Sequence, residues 1–139
     1  MNVVSIPHRE PFLFVPGAGQ GDAHGYVVAA RFSADNPYLA DGTADPIVPR
    51  TFVLEALAQA SAVLAHQSFE ATQSGVLALL KDAEFFGDVR CSDMVTMQVK
   101  HHRTFAKLWW YAAKAVRRDN GGETVIATAQ IVVAHLGAA

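Results

Sequence analysis

The sequence predicts an α+β fold in which one long apolar helix packs on an antiparallel sheet. Three observations predict it. From Arg50 or Thr51 to about Gln67 the chain contains neither Gly nor Pro and leaves almost no polar face. On both sides of this run, and above all between Gly75 and His135, lie short apolar segments with the period of strands. Asn120-Gly121 separates two of those segments, and this pair accepts positive φ at little cost. The 139 residues, read as a single domain over 1–139, can bury a core without disulfide or metal support.

The elements follow in order. Ile6-Pro7-His8-Arg9-Glu10-Pro11 is a turn-rich lead-in, and the apolar Phe12 to Val15 predicts a first strand. Pro16 to Asp22 carries three glycines and reads as a hairpin loop, with Gly25 to Ser33 as the returning strand. Asn36 to Pro49 holds three prolines and a glycine, a long loop of the kind that carries function in compact domains. The helix comes next. Phe52, Val53, Leu54, Ala56, Leu57, Ala58, Ala60 and the run Ala62 to Ala65 make it apolar nearly all round, so a sheet or a partner subunit must cover it. Four strands follow: Gly75 to Phe86 with a break near Lys81-Asp82, Met94 to Thr104, Ala106 to Arg117, and Thr124 to His135. Asp119-Asn120-Gly121-Gly122 is the turn between the last two.

Composition narrows the function. The net charge is −2 and no basic run occurs, so nucleic acid is not an expected partner. Cys91 is the single cysteine, which rules out an internal disulfide and fits a reducing compartment. The first residues lack a basic n-region, and no apolar run approaches the roughly 20 residues that span a bilayer. The expectation is a cytoplasmic protein with no membrane partner.

Glu55 is the residue most in need of an explanation. It lies one turn into an otherwise apolar helix, where an unpaired carboxylate is costly to bury, so it needs a partner, a proton or access to a cavity. Gln59 falls at i+4 on the same face. The pair sits near a helix N-terminus, whose free N–H groups favour a carbonyl oxygen gaining negative charge. Two readings stay open: acid–base chemistry on a carbonyl compound, or a buried acid paired with a His or Arg. His8, His24, His66, His101, His102 and His135 show no ligand spacing, so neither a metal nor a cofactor is expected. Adjacent strand residues face opposite ways, so His101 and His102 cannot share one site. Trp109, Trp110 and Tyr111 read as core packing.

Three segments of the chain resemble the FabZ-type beta-hydroxyacyl-acyl-carrier-protein dehydratases. Residues Ile6 to Val15 match that family's opening, L-P-H-R-x-P-F-L-L-V. Asp45-Pro46-Ile47-Val48-Pro49, with Leu54-Glu55-Ala56-Leu57-Ala58-Gln59-Ala60 behind it, matches N-P-I-M-P-G…I-E-A-L-A-Q-A. Ala83 to Val89 stands where the family has A-R-F-R-R-P-V. The resemblance implies the hot-dog fold, a curved antiparallel sheet wrapped around one helix. It also implies a dimer with two shared sites, each taking a histidine from one protomer and a Glu or Asp from the other. In that chemistry the histidine removes the α-proton and the acid protonates the departing β-hydroxyl. Glu55 falls on the acid's position, and Pro46, Ile47, Val48 and Pro49 on the substrate-binding loop.

The histidine's position is filled otherwise. Where the family writes P-F-F-Q-G-H-F-P-G-N-P-I, this chain runs from Pro37 to Ile47 and is one residue shorter. Counting forward from Pro37 places the histidine at Gly42, and counting back from Pro46 places it at Asp41. An exposed Asp, with an ordinary pKa of about 3.9, is a weak base at neutral pH. The family's Gly after the second proline is Arg50, a cation that could pair with Glu55 or meet a phosphopantetheine phosphate. Three functions follow: a dehydratase, alone or completed as a heterodimer by a His-bearing subunit; a thioesterase in which Glu55 works alone; and a non-catalytic acyl-carrier binder. The expected substrate is an acyl-carrier-protein or CoA thioester, and the expected assembly is a homodimer or that heterodimer.

Overall fold

The computed structural model describes residues 12–15, 19–21, 25–68 and 73–138. In chain order the elements are β1 (Gln20–Gly21), β2 (Gly25–Ala30), β3 (Ile47–Val48), α1 (Arg50–Ser68), β4 (Gln73–Phe85), β5 (Val89–Arg90), β6 (Val95–Phe105), β7 (Leu108–Asp119) and β8 (Gly122–Ala138). Six strands form one antiparallel sheet in the order β1-β2-β6-β7-β8-β4, and β3 and β5 form a small separate ribbon.

The helix behaves as its composition requires. Ala56, Leu57, Gln59, Ala60, Ser61 and Leu64 have no exposed surface, and among the described side chains of the helix those at Arg50, Thr51 and His66, near its ends, are open. Against it the sheet presents Met97, Tyr111, Ala113, Ala115, Ala127 and Ile131 in one core cluster. The opposite face of the same strands is polar, with Lys100, Lys114 and Gln130 exposed, the alternation of a sheet covered on one side.

The expected turns and break are present. Asp119 pairs with Gly122 across the hairpin, with Gly121 at φ 82°. The break in β4 is a register shift between Lys81 and Glu84, where Asp82 adopts φ 54°. β4 also ends the sheet, and Val76, Leu77 and Leu79 along it are 45–51% exposed.

Two expectations need correction. Phe12 to Val15 is not a strand. Leu13, Phe14 and Val15 are buried, but the strap bonds to a side chain and a loop: Arg31 N donates to Phe14 O at 2.8 Å, and Gln59 meets Phe14 N and Phe12 O. The β3–β5 ribbon was not anticipated, because two-residue strands leave no periodic signal. The lead-in at 6–11, most of the 16–22 loop, His8 and His24 lie outside the described residues.

Candidate functional site

Helix α1 begins where Phe52 N and Val53 N both donate to Pro49 O, at 2.9 and 3.3 Å. The N–H groups ahead of them have no intrahelical acceptor and form the positive end of the helix. Glu55 is half-buried in the second turn, and side chains on a helix lean towards its N-terminus. Gln59, one turn further, is wholly buried. Its Oε1 accepts from Phe14 N at 2.8 Å, and its Nε2 donates to Phe12 O at 2.6 Å and to Glu55 Oε1 at 3.1 Å. The i, i+4 spacing therefore does bring the carboxyl and the amide together. It also gives Gln59 a second duty that the sequence did not reveal: it ties the strap of residues 12–14 to the helix.

Aromatic rings build the surroundings of this pair. Phe12 packs on Tyr38 at 4.8 Å and edge-on to Phe52 at 6.4 Å, and Phe14 packs on Phe52 at 5.2 Å and on Phe32 at 5.3 Å. Phe12 (42% exposed), Tyr38 (58%) and Ile47 (45%) remain open to solvent. These rings form an apolar surface on the strap and the helix that carry the pair.

The loop before the helix is tied down on both flanks. Asn36 Oδ1 accepts from Tyr38 N at 2.9 Å, and Asn36 O accepts from Leu39 N and Ala40 N. At the other flank the Asp45 carboxylate accepts from Ser92 N at 2.9 Å and from Ser92 Oγ at 2.6 Å, and Arg90 Nη1 donates to Asp45 O at 3.0 Å. Pro46 O accepts from Cys91 N at 2.9 Å, and Ile47 and Val48 pair with Arg90 and Val89. Pro46 and Val48 are buried, while Ile47 and Pro49 are exposed. The segment from Pro46 to Pro49 is thus a pinned ribbon. The Asp45–Ser92–Arg90 latch joins residues 45 to 47 positions apart, a separation no local motif reports.

Asp41 and Gly42 lie between those anchors. Asp41 is exposed, and its Oδ1 accepts from Thr43 N at 2.9 Å and Thr43 Oγ1 at 2.5 Å. The Thr43 hydrogen bonds hold its carboxyl below the ordinary carboxylate range, which makes it a poorer base still. Gly42 has φ 86°, a left-handed conformation that suits glycine. Arg50 makes its ion pair with Asp88 at 3.5 Å and lies over the Phe85 ring at 5.0 Å, so the pairing with Glu55 is not the one formed.

The remaining candidates lie elsewhere. His101 Nε2 meets Thr104 Oγ1 at 2.8 Å, and its ring packs by Trp109 and Tyr111 near the β6–β7 hairpin. His102 is exposed, and His66 stands three helical turns beyond Glu55. Burial, with the nearby Asp45 and Asp41 charges, pushes the Cys91 thiol up, which disfavours a nucleophilic thiolate. Among the described residues no three His, Cys, Asp or Glu gather as a metal site would need, and no helix is long and apolar enough to cross a membrane. A depression of about 860 Å³ lies on the outer face of the sheet around Gln98, Lys100, Lys114 and Gln130, and no residue of α1 lines it.

One helix laid on a single antiparallel sheet of this order places the chain among the hot-dog proteins. Solved structures agree: the dehydratase heterocomplex ApeI:P of Xenorhabdus doucetiae superposes with a TM-score of 0.76 at 16% identity, over 96% of this chain and 90% of that one. A hypothetical thioesterase with coenzyme A from Streptococcus pneumoniae gives 0.65 at 9% identity, over 86% and 84%. No family model matches the sequence. The 3-hydroxyacyl-[acyl-carrier-protein] dehydratase FabZ of Caulobacter vibrioides is 30% identical over 115 residues, 79% of this chain and 72% of that protein. The chain belongs to the FabZ dehydratase family. It is also 29% identical over 131 residues to the uncharacterised YcsD of Bacillus subtilis, covering 94% and 95%.

Proposed function

We propose that this chain is the acid-bearing half of a 3-hydroxyacyl-thioester dehydratase and works with a partner subunit that supplies the base. The observation that carries this reading is the contrast at the site itself. Glu55 is held by a buried amide on a rigid helix, whereas the loop in front of it presents Asp41 and Gly42 and no imidazole.

In the reaction a histidine of the partner takes the α-proton, and the electron pair left on carbon forms the Cα–Cβ double bond. The Cβ–O bond breaks, and the departing hydroxyl takes the Glu55 proton and leaves as water. Return of the histidine's proton to the carboxylate through solvent resets the pair. The helix N-terminus favours the enolate oxygen that develops on the thioester carbonyl.

One feature supports a partnered site: the edge of β4, with Val76, Leu77 and Leu79 exposed, suits pairing with another hot-dog subunit. In such a heterodimer only one of the two shared sites holds both groups, because this chain has no imidazole at Asp41 or Gly42 to offer the partner's acid.

The test offers a 3-hydroxyacyl thioester and a saturated acyl thioester to the purified chain, alone and with a His-bearing homologue. Enoyl product only from the mixture is the expected result. Enoyl product from the chain alone overturns the need for a partner. Free thiol released from the saturated substrate, and lost in Glu55→Gln, establishes the thioesterase reading instead.

A further inference from the structure

The outer face of the sheet, turned away from α1, is polar around Lys100, Lys114 and Gln130 but becomes apolar towards the β6–β7 hairpin. Register defines the two halves, because residues directly opposite on neighbouring strands share a face. Lys114, Thr128 and Glu84 stand in one row across β7, β8 and β4, and Ala112, Gln130 and Lys81 form the next. Beyond them come Trp110, Val132 and Leu79, then Leu108, Ala134 and Val76. Val76 and Leu79 are exposed, and Trp110 and Leu108 are half-buried. Phe105, exposed on β6 opposite Leu108, extends the apolar half. A contiguous apolar patch of this kind marks a contact surface. Charge on the polar half is also unpaired. Lys114 and Glu84 stand two strands, about 10 Å, apart. The ion pairs among the described residues lie elsewhere, at Arg50–Asp88, Arg117–Asp119 and Arg118–Glu123.

We infer that this face binds the same face of a second copy of the chain, about a two-fold axis parallel to β8. Such an axis sets β7 of one copy against β4 of the other and keeps each row at its own level. Lys114 then meets the other copy's Glu84, Trp110 meets Leu79 and Leu108 meets Val76, each contact made twice by symmetry. Lys81 falls opposite Ala112, whose small side chain lines the depression of about 860 Å³, so no like charges meet in these rows. Aligned sheets pack with their strands within about 30° of each other, as this axis requires. Four strands over about eight residues give roughly 500 Å² of flat area per copy, so the pair covers about 1,000 Å², the lower bound for a specific interface. An anionic ligand at Lys114 would find Glu84 on the same face and leave the apolar rows open, whereas a second copy answers both halves and both signs of charge. Pairing of another subunit along the β4 edge uses backbone groups and leaves this face free, so the two contacts are compatible.

The experiment reads assembly, not turnover, and its outcome is independent of the dehydratase reading. Sedimentation velocity over a dilution series is run on the natural chain, on Lys114→Glu, and on the double variant Lys114→Glu with Glu84→Lys. Lys114→Glu sets carboxylates against each other at two places, and the pair should weaken by about tenfold or more. The double variant reverses both charges and should restore the pairing. A natural chain that sediments as one copy, a mass unmoved by Lys114→Glu, or a double variant no tighter than the single one overturns the inference. A second arm locates the axis in a Cys91→Ser background. Thr128→Cys would face its own copy and should be joined by a short bismaleimide. Gln98→Cys, on β6, would lie roughly 20 Å from its copy and should not be joined. Equal crosslinking at the two positions, or none at Thr128→Cys, also overturns it.

Discussion

The two stretches that meet at Pro46 are built on opposite terms. On the helix side Gln59 is buried and fully engaged, and it joins three parts of the chain: the strap, the helix and the Glu55 carboxyl. On the loop side Asp41 is exposed and bonds only to Thr43, two residues away, while Gly42 makes a left-handed turn in open space. Groups of the first kind are costly to disturb, because each leaves buried partners unpaired. Groups of the second kind are cheap to change, because water replaces what is lost. The family's acid falls on the first kind and its base position on the second. The proposal that a partner supplies the base rests on this contrast.

The largest effect should come from Glu55→Gln. The amide keeps the shape and can still meet Gln59, but it has no proton to give. Loss of about 10²- to 10⁴-fold in turnover is expected, measured as enoyl product with the His-bearing partner present. Retained turnover would move the chemistry away from the helix and break the comparison. The next largest is Gln59→Leu. It strips partners from Phe14 N and Phe12 O in a dry setting, and two such groups together cost about 3 kcal/mol. A urea titration should show that loss in the unfolding free energy. The exposed Arg50–Asp88 pair is the control, since both side chains are 56% exposed and such pairs contribute about 0–1 kcal/mol.

The fold was legible because its strongest signals are local. A Gly- and Pro-free apolar run from Phe52 to Ala65 can only be a covered helix, and Asn120-Gly121 can only be a tight hairpin turn. Glu55 was legible for the same reason, as one acid in an apolar helix, and Gln59 as its i+4 neighbour. What stayed hidden depends on partners far along the chain. The strap at 12–14 resembled a strand because Phe12, Leu13, Phe14 and Val15 are apolar, yet its backbone groups are met by a side chain 45 to 47 residues away. The Asp45–Ser92 latch is equally remote, and its residues are common ones with no periodic context. Arg50 illustrates a third limit: the sequence offered Glu55 as its partner from proximity along the helix, but Asp88 is nearer in space.

Smaller effects sharpen the loop side. Gly42→Ala meets no neighbouring atom within 4 Å, so only its φ of 86° opposes the new methyl group. The expected penalty is about 1 kcal/mol, read from the urea midpoint. Gly42→His should carry the same strain, so restoring an imidazole by point substitution is less costly at Asp41, which has no positive φ.

The smallest effect, and the one most specific in form, belongs to Asp45. Its carboxyl is held below the ordinary value of 3.8, first by the Ser92 hydroxyl, then by the Ser92 N–H, with a further contribution from the Arg90 charge. A folded-state pKa below the unfolded one means that the chain binds this proton more readily when unfolded. The latch's contribution is therefore complete above the ordinary carboxylate value and is lost as pH falls through the folded one. Asp45→Asn mimics the protonated state at every pH, since its amide oxygen can still accept from Ser92. The variant should be less stable than the natural chain at about pH 6, and the gap should close as pH falls through the lowered folded-state value. Asp41 and Asp119 titrate in the same acid range and are held low in the same way, but they do so in both proteins and cancel in the difference. A gap that stays constant with pH would mean that the latch works through shape alone, and the Pro46 ribbon would then owe its place to β5 rather than to the Asp45 charge.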